Sequence, residues 1–179
     1  MHPHCNISVV SITALIINFP VVGFSGSRNP NSQASNSVSA FLPHLSSYSG
    51  TIGVGCAKGV DYIVRSYFPQ SQVFKVHPPI NRKAFALRST CLVKWVHSSN
   101  GLLIAFPSVN CPAGVVPSLS FHGFGSGTWG SIALAIGMGV PVLVFIHSSL
   151  GNVFPAPQSI ACHFKLLGFS FSGIWYLAQ

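Results

Sequence analysis

Acidic side chains are almost absent. The 179 residues hold one aspartate, Asp61, and no glutamate, where an average soluble domain of this size carries roughly twenty acids. The deficit excludes whole classes of chemistry. No carboxylate pair exists for glycoside hydrolysis or for a two-metal centre, and no carboxylate-rich Ca²⁺ or Mg²⁺ site can be assembled. Charge of either sign is scarce, at 6% of residues, so the surface must rest on Ser, Asn, Gly and His. Such a surface should leave an apolar patch and favour a homo-oligomer, with Phe169, Phe171, Trp175 and Tyr176 as candidates to cover the patch in cis or across a symmetric interface. Long apolar runs are missing too. No stretch of eighteen apolar residues is present, so no membrane span is expected. No Lys or Arg precedes the apolar stretch 9–19, so no signal peptide is expected either. The five cysteines (Cys5, Cys56, Cys91, Cys111 and Cys162) are odd in number and dispersed. That argues against a disulfide framework and fits a reducing cytoplasm. His2, His4 and Cys5 form the best metal-ligand cluster, but they lack a fourth ligand, so no metal site is expected.

What is present is apolar and basic. Hydrophobic residues make up 49% of the chain, with fourteen Phe, enough for a substantial core, and the length favours one domain. The formal charge of +8 points to an anionic partner. Short apolar runs at 21–24, 51–54, 72–76, 101–106 and 141–146 read as buried strands. They alternate with helical stripes: Val38, Phe41, Leu42 and Leu45, interrupted by Pro43; Val60, Ile63, Val64 and Tyr67; Ala84, Leu87, Cys91 and Trp95 on a helix over 82–97; and Trp129, Ile132, Ala133 and Ile136. This alternation predicts an α/β fold, a Rossmann-like parallel sheet of about five strands with helices on both faces. Residues 1–19 read as an apolar arm or strand, 20–147 as the domain, and 148–179 as an irregular aromatic tail packed over the sheet edge.

Eight of the nine Lys and Arg residues lie between Arg28 and Lys94. Arg28 follows the first strand and Lys58 the second; Arg88 lies in the helix after the third. In an open α/β sheet, ligands bind at the carboxyl ends of the strands, so these cations can converge on one crest. The run Gly53-Val-Gly55-Cys56-Ala-Lys58-Gly59 joins a strand to a helix and offers amides for a phosphate. A nicotinamide cofactor is disfavoured, because no acid follows the next strand to hold a ribose. No Gly-Lys-Ser/Thr follows either, so this is not a Walker A loop, and no cofactor is expected. Ser126-Gly127-Thr128 opens the last amphipathic helix and offers a second anion seat. Trp129 behind it reads as core, with base stacking as the alternative.

Gly26-Ser27-Arg28, Gly55-Cys56-Ala-Lys58-Gly59-Val-Asp61, Arg88-Ser89, Leu103-Ile-Ala-Phe-Pro107, Ser126-Gly127-Thr128 and Gly139-Val-Pro141-Val occur in this order over residues 20–147. The ordered set resembles the SLOG superfamily, which joins the Smf/DprA DNA-processing proteins, the Lonely-Guy cytokinin-activating hydrolases and many nucleotide-sensing domains. The resemblance implies a nucleotide or nucleotide-derived ligand above the strand ends. Two departures matter. The Lonely-Guy enzymes carry a catalytic glutamate shortly after Gly-Thr, whereas Trp129, Gly130 and Ser131 follow here, so phosphoribohydrolase activity is not expected. DNA-processing proteins usually have Arg-Asn where this chain has Arg88-Ser89.

The expected ligand site is therefore Gly26, Ser27, Arg28, Gly55, Cys56, Lys58, Gly59, Asp61, Arg88, Ser126, Gly127 and Thr128. Amides at 26–28, 55–59 and 126–128 would bind phosphate oxygens and Asp61 a sugar hydroxyl. Arg28 and Arg88 would neutralise charge, Arg88 without a part in folding, and Lys58 would steer from the rim. The leading expectation is nucleotide sensing. The alternatives are single-stranded nucleic-acid binding and a nucleotide-cleaving hydrolase using Asp61 or Cys56. The long connection 107–125 is a candidate lid.

Overall fold

The computed structural model describes residues 9–151 and 153–179; His2, His4 and Cys5 lie outside them. Helix α1 (Val9–Ile16) takes the place of the expected arm or strand. Strand β1 (Val21–Gly26) follows, then helix α2 (Ser32–Phe41). Asn31 caps α2, its Oδ1 accepting from the Ala34 amide at 2.7 Å. Pro43 does not break the stripe of Val38, Phe41, Leu42 and Leu45. It sits in the first turn of a 3₁₀ segment, Leu42–Leu45, where its missing N–H leaves no bond unmade. Strand β2 (Thr51–Gly55), helix α3 (Val60–Tyr67), strand β3 (Gln72–Phe74), helix α4 (Arg82–Ser98) and strand β4 (Leu102–Phe106) continue the alternation. Helix α5 (Gly127–Gly137) and strand β5 (Val142–His147) complete it.

The sheet has seven strands, not five. After β5 a 3₁₀ turn (Ser148–Leu150) and a short helix α6 (Gln158–Ala161) lead into β6 (Lys165–Ser170) and β7 (Gly173–Ala178). The order is β3-β2-β1-β4-β5-β7-β6. Strands β1 to β5 pair in parallel. Strand β7 runs antiparallel to β5, from Val142 opposite Ala178 to His147 opposite Gly173. The expected irregular tail is thus a hairpin that extends the sheet. Its aromatic residues pack in cis: Trp175 is fully buried and Phe169, Phe171 and Tyr176 are half-buried.

Strands β4 and β5 are buried along their whole length, so both sheet faces are covered. Leu102, Ile104 and Phe106 point into one core with Ile12 and Ile16 of α1, Val38 and Phe41 of α2, and Val60 and Val64 of α3. Leu103 and Ala105 point into the other, with Leu92, Val93 and Val96 of α4 and Trp129 and Ile132 of α5. The buried side of α4 therefore differs from the expected one. Leu87 is 64% exposed and Cys91 is exposed, whereas Ser89, Leu92, Val93 and Val96 face inward. Helix α4 lies close against β1, where a Cβ at Gly23 would come within 2.5 Å of Val96.

Candidate functional site

Strand order reverses direction between β1 and β4, and a crevice opens there beyond the carboxyl ends of the strands. The cavity measures about 850 Å³. It is lined by Ser25 and Gly26 at the end of β1 and by Ser27 and Arg28 after it. One side is the first half of α4, with Asn81, Arg82, Lys83, Phe85, Arg88 and Ser89. The other is the start of α5 and the loop before it, with Phe121, His122, Gly123, Phe124, Gly125, Ser126, Gly127 and Thr128.

Eight of the expected site residues line this cavity: Gly26, Ser27, Arg28, Asp61, Arg88, Ser126, Gly127 and Thr128. Gly55, Cys56, Lys58 and Gly59 do not. Their loop is tied into the protein. Arg65 Nη1 donates to the carbonyls of Gly55 and Ala57, the Ala57 amide donates to Asp61 Oδ2 at 3.3 Å, and Cys56 Sγ accepts from the Val76 amide at 3.3 Å. Gly59 has φ +72°, and a Cβ there would lie 2.3 Å from the Ser27 carbonyl oxygen. The α3 amide of Val60 already donates to that oxygen at 3.0 Å. Gly59 thus serves close approach of this loop to the backbone at Ser27 and Arg28. The amide of Ser27 is also engaged, donating to the Phe106 carbonyl at 3.2 Å.

Arg88 and Asp61 form a buried ion pair at 2.7 Å, with their side chains 10% and 4% exposed. Gly55 makes the pair possible: a Cβ at that position would fall 1.4 Å from Arg88 Nη1. Burial pushes the Asp61 carboxyl above the usual carboxylate range, against the pull of Arg88, its hydrogen bonds and Arg65. Asp61 and Arg88 thus reach the cavity as a pair, each engaged with the other. The expectation that Arg88 has no part in folding did not include this pair. Arg88 Nε remains buried with no partner of its own.

The accessible charge belongs to other residues. Arg28 is exposed, and its guanidinium lies 4.4 Å from the centre of the Phe85 ring, within cation–π range. Arg82 and Lys83 are exposed at the N-terminus of α4, which Asn81 caps through the Ala84 amide at 3.0 Å. This Asn-Arg-Lys run after the third strand, and Phe85 behind it, was legible as a capped, cationic helix start at the crest, yet only Arg88 of that helix entered the expected site. Ser126 caps α5, its Oγ accepting from the Trp129 amide at 3.3 Å. Trp129 itself is core: it is fully buried, and its Nε1 donates to the Val109 carbonyl at 2.8 Å. The 107–125 connection is joined to α5 by that bond and by Ser118 donating to Ala133, and it forms a wall of the cavity. Among the described residues no group of three or more His, Cys, Asp or Glu could hold a metal, and no helix is long and apolar enough to cross a membrane.

A Cβ at Gly127 would meet nothing within 4 Å. Gly127→Val should therefore fold as the parent does while projecting a side chain beside the free start of α5. Loss of binding of any ligand seated in the crevice, with an unchanged melting temperature, is the expected result. Normal binding of every ligand would make Ser126–Thr128 a helix cap alone.

No protein-family model matches the chain, and no curated protein matches it in sequence. Among solved structures, DNA processing protein A from Helicobacter pylori is similar at a TM-score of 0.52, with 16% identity, over 73% of this chain and 67% of that one. DNA processing protein A from Streptococcus pneumoniae gives a TM-score of 0.48 at 17% identity, over 71% of this chain and 50% of that one. The likeness is one of architecture: the chain has a Rossmann-like α/β fold similar to that of DNA processing protein A.

Proposed function

We propose that this chain binds single-stranded nucleic acid, seating the phosphate backbone across the crevice between α4 and α5, as a member of the SLOG group. The observation that carries this reading is the sign of the crevice. The chain's one carboxylate is buried and paired with Arg88. Arg28, Arg82 and Lys83 line the crevice, exposed, with no unpaired anionic side chain to oppose them. The half-buried Phe85 and Phe121 and the exposed Phe124 line the same space, and aromatic faces stack on bases without regard to sequence. The Helicobacter pylori protein is described as binding single-stranded DNA. For this chain the argument rests on charge and shape.

The test is fluorescence anisotropy with labelled oligothymidine across a salt series. Affinity should fall with salt at a log–log slope of about −0.7 per phosphate contacted. Salt-independent or absent binding overturns the reading. Arg28→Ala should weaken binding by about 1.5–3 kcal/mol, the range for a charge-assisted hydrogen bond. Its melting temperature should hold, because Arg28 is exposed. An unchanged dissociation constant would remove Arg28 from the site.

A second reading, a free nucleotide as ligand, is favoured by the cavity volume of about 850 Å³, which falls in the range of small-molecule sites. Mononucleotides that displace the oligonucleotide at micromolar concentration would support it. Displacement only by polymers supports the first. The two groups considered for hydrolysis are both engaged: Asp61 by Arg88 and Ala57, and Cys56 by the Val76 amide.

A further inference from the structure

The cations at the strand ends are not scattered. Each of β1, β2 and β3 is followed by one just beyond its carboxyl end: Arg28 two residues after Gly26, Lys58 three after Gly55, and Lys75 one after Phe74. The three strands are neighbours in parallel register, with Phe24 beside Val54 and Gly55 beside Phe74, and adjacent strands lie about 4.8 Å apart. Their end loops touch. Val60 donates to the Ser27 carbonyl, joining the Lys58 loop to the Arg28 loop. Val76 donates to Cys56, joining the Lys75 loop to the Lys58 loop. Arg28, Lys58 and Lys75 are all exposed. On the other side of the crevice the pattern stops: no Lys or Arg occurs from Trp95 to Phe164, so β4 and β5 are followed by none.

We infer that a one-sided cationic track leads out of the crevice over the ends of β2 and β3, and that it holds the phosphates of a single strand extending beyond the nucleotides in the cavity. This rests on the nucleic-acid reading above and adds the direction in which the strand leaves. The chain has no acid to interrupt the track, because Asp61 is buried beneath it. A groove that follows a backbone in this way gives affinity that grows with strand length until the track is full.

The experiment compares oligothymidines of about four and about sixteen residues, the span of site sizes on comparable single-strand binders. The proteins are the parent, the double variant Lys58→Ala/Lys75→Ala, and a control of equal charge change, Lys94→Ala/Lys165→Ala. All four lysines are exposed, so the variants should fold. The parent should bind the longer strand more tightly. Removing Lys58 and Lys75 should flatten the salt slope for the longer strand by about 1.4, two contacts at about 0.7 each, and leave the shorter strand unchanged. The control pair should alter neither slope. Equal losses from both double variants, or equal affinity of the parent for both lengths, overturns the track while leaving the crevice reading intact. Binding of neither strand by the parent overturns both.

Discussion

Arg88→Ala is expected to lower the unfolding free energy by about 3–5 kcal/mol, the range for removing one partner of a buried ion pair. The loss comes from Asp61. With its side chain 4% exposed and Arg88 gone, the carboxylate keeps the Ala57 amide at 3.3 Å and loses its 2.7 Å cation. Arg65 does not replace it, being committed to the carbonyls of Gly55 and Ala57. Denaturant titration followed by tryptophan fluorescence measures the change. The paired replacement Asp61→Leu/Arg88→Met separates the pair from its geometry. If the harm is an orphaned charge, the double variant should recover most of the stability, since apolar residues of similar volume often match a buried pair. A fall of less than about 1 kcal/mol for Arg88→Ala would mean that water reaches Asp61 and that the pair does not anchor the β2–α3 loop.

The second large effect is expected at the other end of the chain. Trp175→Ala should destabilise the protein by about 3–5 kcal/mol, as large-to-small changes at fully buried aromatics do. Trp175 sits in a cage of rings, with Phe41 and Phe145 centred 4.9 Å away and Phe106 at 6.0 Å. Its Nε1 donates to Ser170 Oγ at 2.8 Å across the hairpin. The ring thus connects the last hairpin to α2, β4 and β5 at once. Thermal and denaturant unfolding should show one shifted transition. Two separate transitions, or a shift under about 1 kcal/mol, would mean that the hairpin docks on an already complete fold.

Five parallel strands and their order along the chain are legible in the apolar runs, because strands buried on both faces need no alternation to be seen. The hairpin was not legible for a specific reason. Its two-residue loop is Phe171-Ser172, both at positive φ, +51° and +59°. Turns of that shape are read from Asn-Gly or Asp-Gly, and a Phe-Ser pair gives no such signal. Helix α4 was misread for another reason. It carries two stripes at helical spacing, one through Ala84, Leu87, Cys91 and Trp95 and one through Ser89, Leu92, Val93 and Val96. Their polarity differs too little to say which faces the sheet. Arg88 lies between them, so its approach to the buried side was visible while its partner was not. The site shows the same division. Cations at strand ends follow from topology, whereas the stitching of Gly55, Cys56 and Gly59 depends on hydrogen bonds between residues remote in sequence.

The hairpin also decides what the sheet offers to other molecules of its own kind. An unpaired strand edge is a template for intermolecular pairing, and the net charge of +8 opposes it unevenly, because no Lys or Arg lies between Trp95 and Phe164. Here both outer strands are poor templates. Strand β3 has only three residues, too few for a stable ladder. Strand β6 begins at Lys165 and slips register between Leu166 and Gly168, so a straight partner cannot follow it. Strand β5, six residues long and buried throughout, would be the more dangerous edge, and β7 occupies it along its full length. Strand geometry thus leaves little edge for self-templated pairing on the side of the sheet where β4 and β5 carry no Lys or Arg.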